Sequence, residues 1–243
     1  MTSLLWLRRD LRLADQPALA AAVQAGAVIP VFILDDETPK HRKMGGASRW
    51  WLHHSLMSLD ADLRSIGSRL ILRRGNVADI IPQLVSETGA SAVHCIRHHE
   101  PWWRNAERVL KNQVNLIRHD GNYLMPMGAV KTGSGGPFKI YTPFWRALAQ
   151  HMPPPVPLPA PKVIAAPSIW PESDDLDDWN LRPAKPDWAG GMADMWTPGE
   201  AGAAQRMDDF ASKARLYDEK RNFPSVDGTS FLSPHLHFGE ISA

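Results

Sequence analysis

The sequence predicts a doubly wound, Rossmann-like α/β domain on a five-stranded parallel sheet, followed by a linker and the start of an all-α domain. In the first 120 residues, short apolar runs alternate with stretches of helical periodicity, which is typical of repeated strand–helix units. The run at residues 27–34 is apolar throughout, as in a strand that a parallel sheet buries on both faces. A capping pattern at Thr197 then opens a new helical segment.

The alternation predicts five strands with helices between them. Asp15 is the expected N-cap of the first helix, which ends at Gly26. The second helix carries leucines at helical spacing along one face, which indicates packing against a core. The predicted strands are residues 3–7, 27–34, 69–72, 92–96 and 116–118, and the later predicted helices are residues 47–66, 77–87 and about 105–112.

The second half of the chain has a different character. Residues 152–191 are rich in proline, acidic residues and tryptophan and show no sustained periodicity. Thr197, Pro198 and Glu200 then form the pattern of a capping box, with Thr197 as the N-cap. We therefore expect an α/β domain at residues 1–150, an interdomain linker at 151–196 and the start of a helical domain at 197–243.

Composition limits the classes of function. The formal net charge of +1 gives no support for nucleic-acid binding, and one cysteine, Cys95, fits a reducing compartment. The start meets charge too early for a signal peptide, and no apolar run reaches the length of a membrane span. We expect a soluble cytoplasmic protein without a membrane partner. The histidines have no metal-ligand spacing, so no metal site is predicted.

A hydroxyl-rich turn near residue 230 is the clearest local candidate for a site. Asp227 and Gly228 turn the chain, Thr229 and Ser230 follow, and Ser233 is the expected N-cap of a short helix. Free N–H groups and hydroxyls at such a turn can hold an anion, because both favour negative charge. The alternative is that these hydroxyls only cap the helix.

The chain resembles the photolyase/cryptochrome family in three places. Residues 6–13 (WLRRDLRL) and 15–19 (DQPAL) are similar to the opening strand and first turn of the family, although Gln16-Pro17 stands where Asn-Pro is commoner. The segment from Gly133 to Arg146 is similar to the end of the family's α/β domain. The third place resembles the family's flavin phosphate-binding stretch and consists of Asn222-Phe223-Pro224, Gly228-Thr229-Ser230-Phe231-Leu232-Ser233-Pro234 and Phe238-Gly239-Glu240.

This resemblance implies that the turn binds the phosphates of FAD. The residues that match the family's phosphate ligands are Tyr217, Thr229, Ser230, Leu232 and Ser233. Phe231 stands at the family's variable position and would contribute only its backbone. For Tyr217 the alternative is a core aromatic at the end of a helical stripe.

The resemblance also implies a second pigment, an antenna that is a folate, a deazaflavin or a flavin. It would bind at the carboxyl edge of the sheet, where several charged residues should converge. The alternative is that these charges pair with one another where the strands end. The candidate pigment contacts are Arg8, Asp10, Asp35, Arg49 and Glu100.

By resemblance, the activity is light-driven repair of pyrimidine dimers in DNA by electron transfer from reduced FAD, in a monomer. No catalytic residue is expected within these 243 residues, and we expect this chain alone neither to repair DNA nor to hold FAD tightly. One alternative is a cryptochrome, a light receptor without repair activity. Another is a free-standing α/β module that binds a nucleotide or pigment.

Overall fold

The computed structural model describes residues 1–243, except for the side chain of residue 41. Within these residues, five strands form one parallel sheet in the order β3-β2-β1-β4-β5. The predicted doubly wound α/β fold is therefore confirmed. The strands are β1 (Thr2–Leu7), β2 (Ala27–Leu34), β3 (Ile71–Arg74), β4 (Ala92–Ile96) and β5 (Leu116–His119).

The helices lie on both faces of the sheet and in the later segment. Those of the α/β unit are α1 (Pro17–Ala25), α2 (Gly46–Ser65), α3 (Val77–Thr88), α4 (Pro101–Leu110) and α5 (Tyr141–Ala149). The later ones are α6 (Gly190–Met195), α7 (Glu200–Lys213), α8 (Tyr217–Lys220) and α9 (Ser233–Phe238). Among the described helices, none has the length and apolar character to cross a membrane.

Side chains of β1 alternate between two apolar layers, which explains why the strand is buried on both faces. Leu5 and Leu7 pack in the layer that contains α1 and α2, whereas Leu4 and Trp6 pack in the layer of α3 and α4. All four are at most 2% exposed. Burial of each such leucine contributes about 1.5–3 kcal/mol, so the sheet is a rigid platform for the loops at its carboxyl edge.

The predicted cap of α1 at Asp15 is wrong. Gln16 is the N-cap, and its side chain accepts a hydrogen bond from the N–H of Ala18 (3.3 Å). Asp15 lies at a φ of 48°, and it serves a tertiary contact. Its N–H donates to the carbonyl of Leu158 (2.7 Å), and its carboxylate accepts from the N–H of Leu158 (3.1 Å).

The segment between α5 and α7 is pinned to the α/β unit by backbone hydrogen bonds. The N–H of Ile164 donates to the carbonyl of Ile66 (2.9 Å), and the N–H of Asp174 donates to the carbonyl of Leu72 (2.9 Å). Trp179 is buried against the core, whereas Trp188 is 49% exposed. The division of the chain at residues 150 and 196 stays a prediction.

The predicted capping box at Thr197 is also wrong. Helix α7 begins at Glu200 with Gly199 as its N-cap. The Glu200 carboxylate accepts hydrogen bonds from the N–H groups of Leu13 (2.7 Å) and Ala14 (2.9 Å). Glu200 therefore ties α7 to the loop after β1, and a local cap is replaced by a contact between distant parts of the chain.

The end of the chain docks on the same loop through α9. Its N-cap is Leu232, so the predicted N-cap Ser233 is instead the first helical residue, and it makes no side-chain cap hydrogen bond. The N–H of Leu11 donates to the carbonyl of Phe238 (3.1 Å). Gly239 has a φ of 67°, and a Cβ there would lie 2.6 Å from the carbonyl carbon of Arg9.

We expect Gly239→Ala to lower the free energy of unfolding by at least about 3 kcal/mol, because left-handed backbone costs roughly 1–2 kcal/mol and the overlap with Arg9 adds to it. Gly89→Ala is the matched control. Gly89 has a φ of 63°, but a Cβ there would meet nothing within 4 Å. Urea unfolding of both variants measures the difference, and equal losses would show that close packing at Gly239 is unimportant.

Candidate functional site

The carboxyl edge of the sheet forms a cleft at the point where the strand order reverses. The chain moves from β1 to β2 on one side and returns to β4 on the other, so the loops after these strands diverge there. The cleft is narrow, with about 90 Å³ of free space inside it. Its lining includes two predicted pigment contacts, Arg8 and Asp35, together with Arg9, Asp36 and the aromatic side chains of Trp6, Phe32, Trp102 and Trp103.

The side chain of Arg8 already has partners within the protein. It is 4% exposed, and its guanidinium pairs with Glu107 (2.8 Å), donates to the carbonyl of Ile96 and lies 4.1 Å above the ring centre of Trp6. A buried charge needs such partners, since an unpaired one is costly. Arg8 therefore presents a stacked guanidinium in the cleft wall.

Asp10 is fully buried behind this wall and does not line the cleft. Its carboxylate accepts hydrogen bonds from the N–H of Arg8 (2.6 Å) and the side-chain amide of Gln16 (2.9 Å). Desolvation alone would raise the pKa of Asp10, but the nearby His98 (Nε2 at 3.6 Å), the charge of Arg8 and the hydrogen bond from the Arg8 N–H outweigh this and lower it. Burial lowers the pKa of His98 itself, so we assign a charged Asp10 beside a neutral His98 near pH 7.

Asp35 and Arg49 stabilise the chain between β2 and α2. The Asp35 carboxylate accepts from the N–H groups of Glu37 (3.1 Å) and Thr38 (2.9 Å), which closes the turn after β2. Arg49 pairs with Asp36 and donates to the carbonyl of Met44 (3.1 Å). Asp35 lines the cleft, and Arg49 lies outside its lining.

Glu100 belongs to a neighbouring cleft of about 330 Å³, between the sheet edge and α9. It pairs with Arg9 (3.2 Å), and both side chains are about 30% exposed. Arg9 lines both clefts, although it is not one of the five predicted contacts. The five predicted pigment contacts therefore lie at one sheet edge without forming one wall, and their roles toward a pigment stay predictions.

The hydroxyl-rich turn is held against α8. Gly228 is buried, and a Cβ there would lie 2.8 Å from the carbonyl carbon of Lys220. Thr229 and Ser230 are half-buried, whereas Ser233 is exposed. Ser230 Oγ accepts weakly from the N–H of Leu232 (3.4 Å). The close packing at Gly228 places the turn beside α8, the helix that carries Tyr217.

Several donors of this turn remain available. The N–H groups of Thr229, Ser230 and Phe231 donate to no acceptor among the described residues. Phe231 has a φ of 53°, and consecutive amides around such a residue can form a concave anion-binding site. The turn therefore has the chemistry that a diphosphate requires.

Tyr217 is 39% exposed, so the alternative interpretation as a core aromatic is wrong. Its ring meets the ring of Phe210 edge-on at 5.7 Å, and the guanidinium of Arg221 lies 5.4 Å from its centre. The structure thus packs the turn against α8, the helix that carries Tyr217, and leaves the tyrosine ring accessible.

Glu240 is a buried anchor whose role sequence reasoning missed. It is fully buried, and its carboxylate accepts from Trp51 Nε1–H (2.9 Å) and Ser55 Oγ–H (2.5 Å) on α2 and contacts His235 Nδ1 (2.5 Å) on α9. These bonds fix α9 against α2. The resemblance already pointed to Glu240, but no local pattern indicated which residues would contact it.

The Cys95 thiol is unreactive, and the described residues form no metal site. Burial raises the pKa of the Cys95 thiol to about 12, which keeps it protonated and inert. Among the described residues, no cluster of histidine, cysteine and acidic side chains is arranged to hold a metal ion.

Comparison with known proteins identifies a family and several relatives. The DNA photolyase family model matches residues 3–162. The deoxyribodipyrimidine photo-lyase of Agrobacterium fabrum is 44% identical over 246 residues, which cover 98% of this chain and 51% of that protein. Cryptochrome-1 of Arabidopsis thaliana is 35% identical over 258 residues, which cover 99% of this chain and 36% of that protein.

A solved structure gives the same relationship. The class III photolyase of Agrobacterium tumefaciens superimposes with a TM-score of 0.91 at 43% identity, covering 99% of this chain and 51% of that one. The chain thus spans about half the length of the photolyases that it matches.

We expect Asp10→Asn to lower the free energy of unfolding at pH 7 by about 1.5–3 kcal/mol, because hydrogen bonds to a charged group are lost. The folded-state pKa of Asp10 is lowered, so this stabilisation is present above the unfolded pKa near 4 and is lost as the pH falls through the folded value. The difference between the two proteins should therefore shrink below pH 4.

Urea unfolding between pH 7 and pH 3 measures this difference. The exposed Asp208 on α7 provides a control, since Asp208→Asn should change the free energy of unfolding by less than about 0.5 kcal/mol at every pH. A loss at Asp10 that is the same at pH 7 and pH 3 would contradict a charged, stabilising carboxylate.

Proposed function

The chain belongs to the DNA photolyase family, and from this we propose that the protein repairs cyclobutane pyrimidine dimers in DNA by light-driven electron transfer from reduced FAD. The observation that carries the proposal is the turn at residues 228–233, whose unpaired N–H groups and hydroxyls suit a diphosphate. The relative that is 44% identical is a deoxyribodipyrimidine photo-lyase, which supports the same substrate here.

We infer that the turn holds the FAD phosphates. Thr229, Ser230 and Ser233 would donate their hydroxyls, and Phe231 would donate its free backbone N–H. Leu232 would exchange its weak bond to Ser230 Oγ for one to the phosphates, and Tyr217 would approach from α8. When bound, FAD would supply the light-driven electron chemistry. The residues of this chain would bind and orient it, because several donors together offset the negative charge of a diphosphate.

We propose that an antenna pigment, a folate, a deazaflavin or a flavin, binds the cleft beyond β1 and β2. Arg8 and Asp35 line this cleft directly. Asp10 and Arg49 would act indirectly, since their contacts fix Arg8 and the start of α2. Glu100 would contact a pigment only from the side of Arg9, with which it is paired.

The proposed partner is DNA that carries pyrimidine dimers, and the proposed state is a cytoplasmic monomer. The damaged bases would have to leave the base stack of the DNA duplex, because an enzyme cannot reach them inside it.

A light receptor of the cryptochrome type is the second candidate. It is favoured by the 35% identity with cryptochrome-1 of Arabidopsis thaliana across 99% of the chain. The two functions share this scaffold, so they differ in whether the excited protein repairs DNA.

A repair assay distinguishes the two functions. The purified full-length protein, with reduced FAD, is mixed with an oligonucleotide that carries one thymine dimer, and dimer loss is followed by chromatography under blue light and in darkness. We expect dimer loss only under light. A protein that binds FAD and responds to light without removing dimers would be a cryptochrome-type receptor, and one that binds no FAD would contradict both functions.

The phosphate turn can be tested separately. We expect Thr229→Val with Ser230→Ala to weaken FAD binding in the full-length protein by at least about 100-fold, because two hydrogen bonds to a charged group are lost and each contributes about 1.5–3 kcal/mol. Ser134→Ala is the control, since Ser134 is an exposed hydroxyl in another turn. Fluorescence titration with FAD measures both, and an unchanged affinity of the double variant would remove the turn from the cofactor site.

A further inference from the structure

Arg206 on α7 lies between two aromatic side chains beside the phosphate turn. Its guanidinium is 5.2 Å from the ring centre of Trp196 and 5.7 Å from that of Phe231. The two rings meet edge-on at 6.2 Å. Because a cation over an aromatic face is attracted to it, these contacts hold the Phe231 ring against α7.

The Phe231 ring needs this contact because its backbone is in an unfavourable region. A non-glycine residue with a φ of 53° is strained, and the surroundings must compensate. Trp196 provides a firm support, since it packs on the core and its ring lies 5.4 Å from that of Trp51. The clamp of Trp196 and Arg206 therefore stabilises the conformation that leaves the amides of the turn unpaired.

The charge of Arg206 is also available. The guanidinium donates to the carbonyl of Met195, but no carboxylate of the described residues lies within salt-bridge distance of it. Two cations nearby differ in this respect, since Lys213 pairs with Asp227 and Arg221 lies 3.7 Å from Asp218. A cation without a counter-charge beside a turn rich in free donors favours an anionic ligand.

We propose that Arg206 is a specificity-determining residue for the diphosphate of the flavin, both by clamping Phe231 and by adding positive charge to the turn. This inference rests on the proposed FAD site. It predicts that Arg206 matters for FAD, which carries a diphosphate, and not for riboflavin, which carries no phosphate. A residue with a purely structural role would affect both ligands equally.

The test compares the dissociation constants of FAD and riboflavin for the purified, flavin-free, full-length protein by fluorescence titration at low and high salt. Arg206→Gln should weaken FAD binding about tenfold at low salt, less at high salt because ions screen the charge, and leave riboflavin binding unchanged. Arg206→Lys keeps the charge with a weaker clamp and should retain part of the FAD affinity. Arg108→Gln, at an exposed arginine on α4, is the matched control.

The outcomes separate the two proposals. Equal weakening of FAD and riboflavin in Arg206→Gln, or no weakening of either, would overturn the role of Arg206 while leaving the FAD site intact. If the unmutated protein binds FAD no better than riboflavin, the proposed role of the turn in binding the FAD phosphates is wrong. If Arg206→Gln does not fold, the proposal is tested with Arg206→Lys and with the salt dependence of FAD binding to the unmutated protein. FAD binding that is independent of salt contradicts the proposal.

Discussion

The buried guanidinium of Arg12 joins the three segments whose arrangement defines the candidate sites. It is 2% exposed and donates to the carbonyls of Asp15 (2.9 Å), Gly121 (2.7 Å) and Gly239 (3.1 Å). These carbonyls belong to the loop after β1, the segment after β5 and the end of α9. Burial lowers the pKa of Arg12, and the charges of Asp10, Asp15 and Glu200 oppose this. One buried cation thus sets the position of the C-terminal segment on the sheet edge.

Polar contacts specify this docking, and apolar contacts supply much of its stability. Glu200 accepts from the N–H groups of Leu13 and Ala14, and Glu240 is satisfied by donors on α2 and α9. Buried charges of this kind return little net stability once their desolvation is included, but they tolerate few alternative arrangements. Phe238, stacked on Trp51 at 6.1 Å, adds buried apolar area. The phosphate turn therefore has a defined position relative to the sheet.

The regular elements could be predicted from the sequence, whereas the helix caps could not. The apolar runs located β2 and β4 at their observed bounds, because burial on both faces of the sheet leaves a local signal. Asp15, Thr197 and Ser233 each have the right residue type for an N-cap, but none of them caps a helix. The partner of Asp15 is 143 residues away, and the Leu13 partner of Glu200 is 187 residues away. Tertiary hydrogen bonds at such separations compete with local capping and leave no pattern in the neighbouring sequence.

Contacts within the protein also limit which side chains at the sheet edge can bind a ligand. Sequence reasoning placed Arg8, Asp10, Asp35 and Arg49 at the edge, but each already has partners within the protein. Removing any of these side chains from its partner to bind a pigment would leave a buried or half-buried group unsatisfied, at a cost of about 1–3 kcal/mol or more for a charge. Of the aromatic side chains that line the cleft, Trp102 and Trp103 are half-buried and need no such exchange, whereas Trp6 and Phe32 are buried. Recognition of a planar pigment at this edge would therefore depend on stacking and shape, with the charged side chains holding the aromatic wall in place.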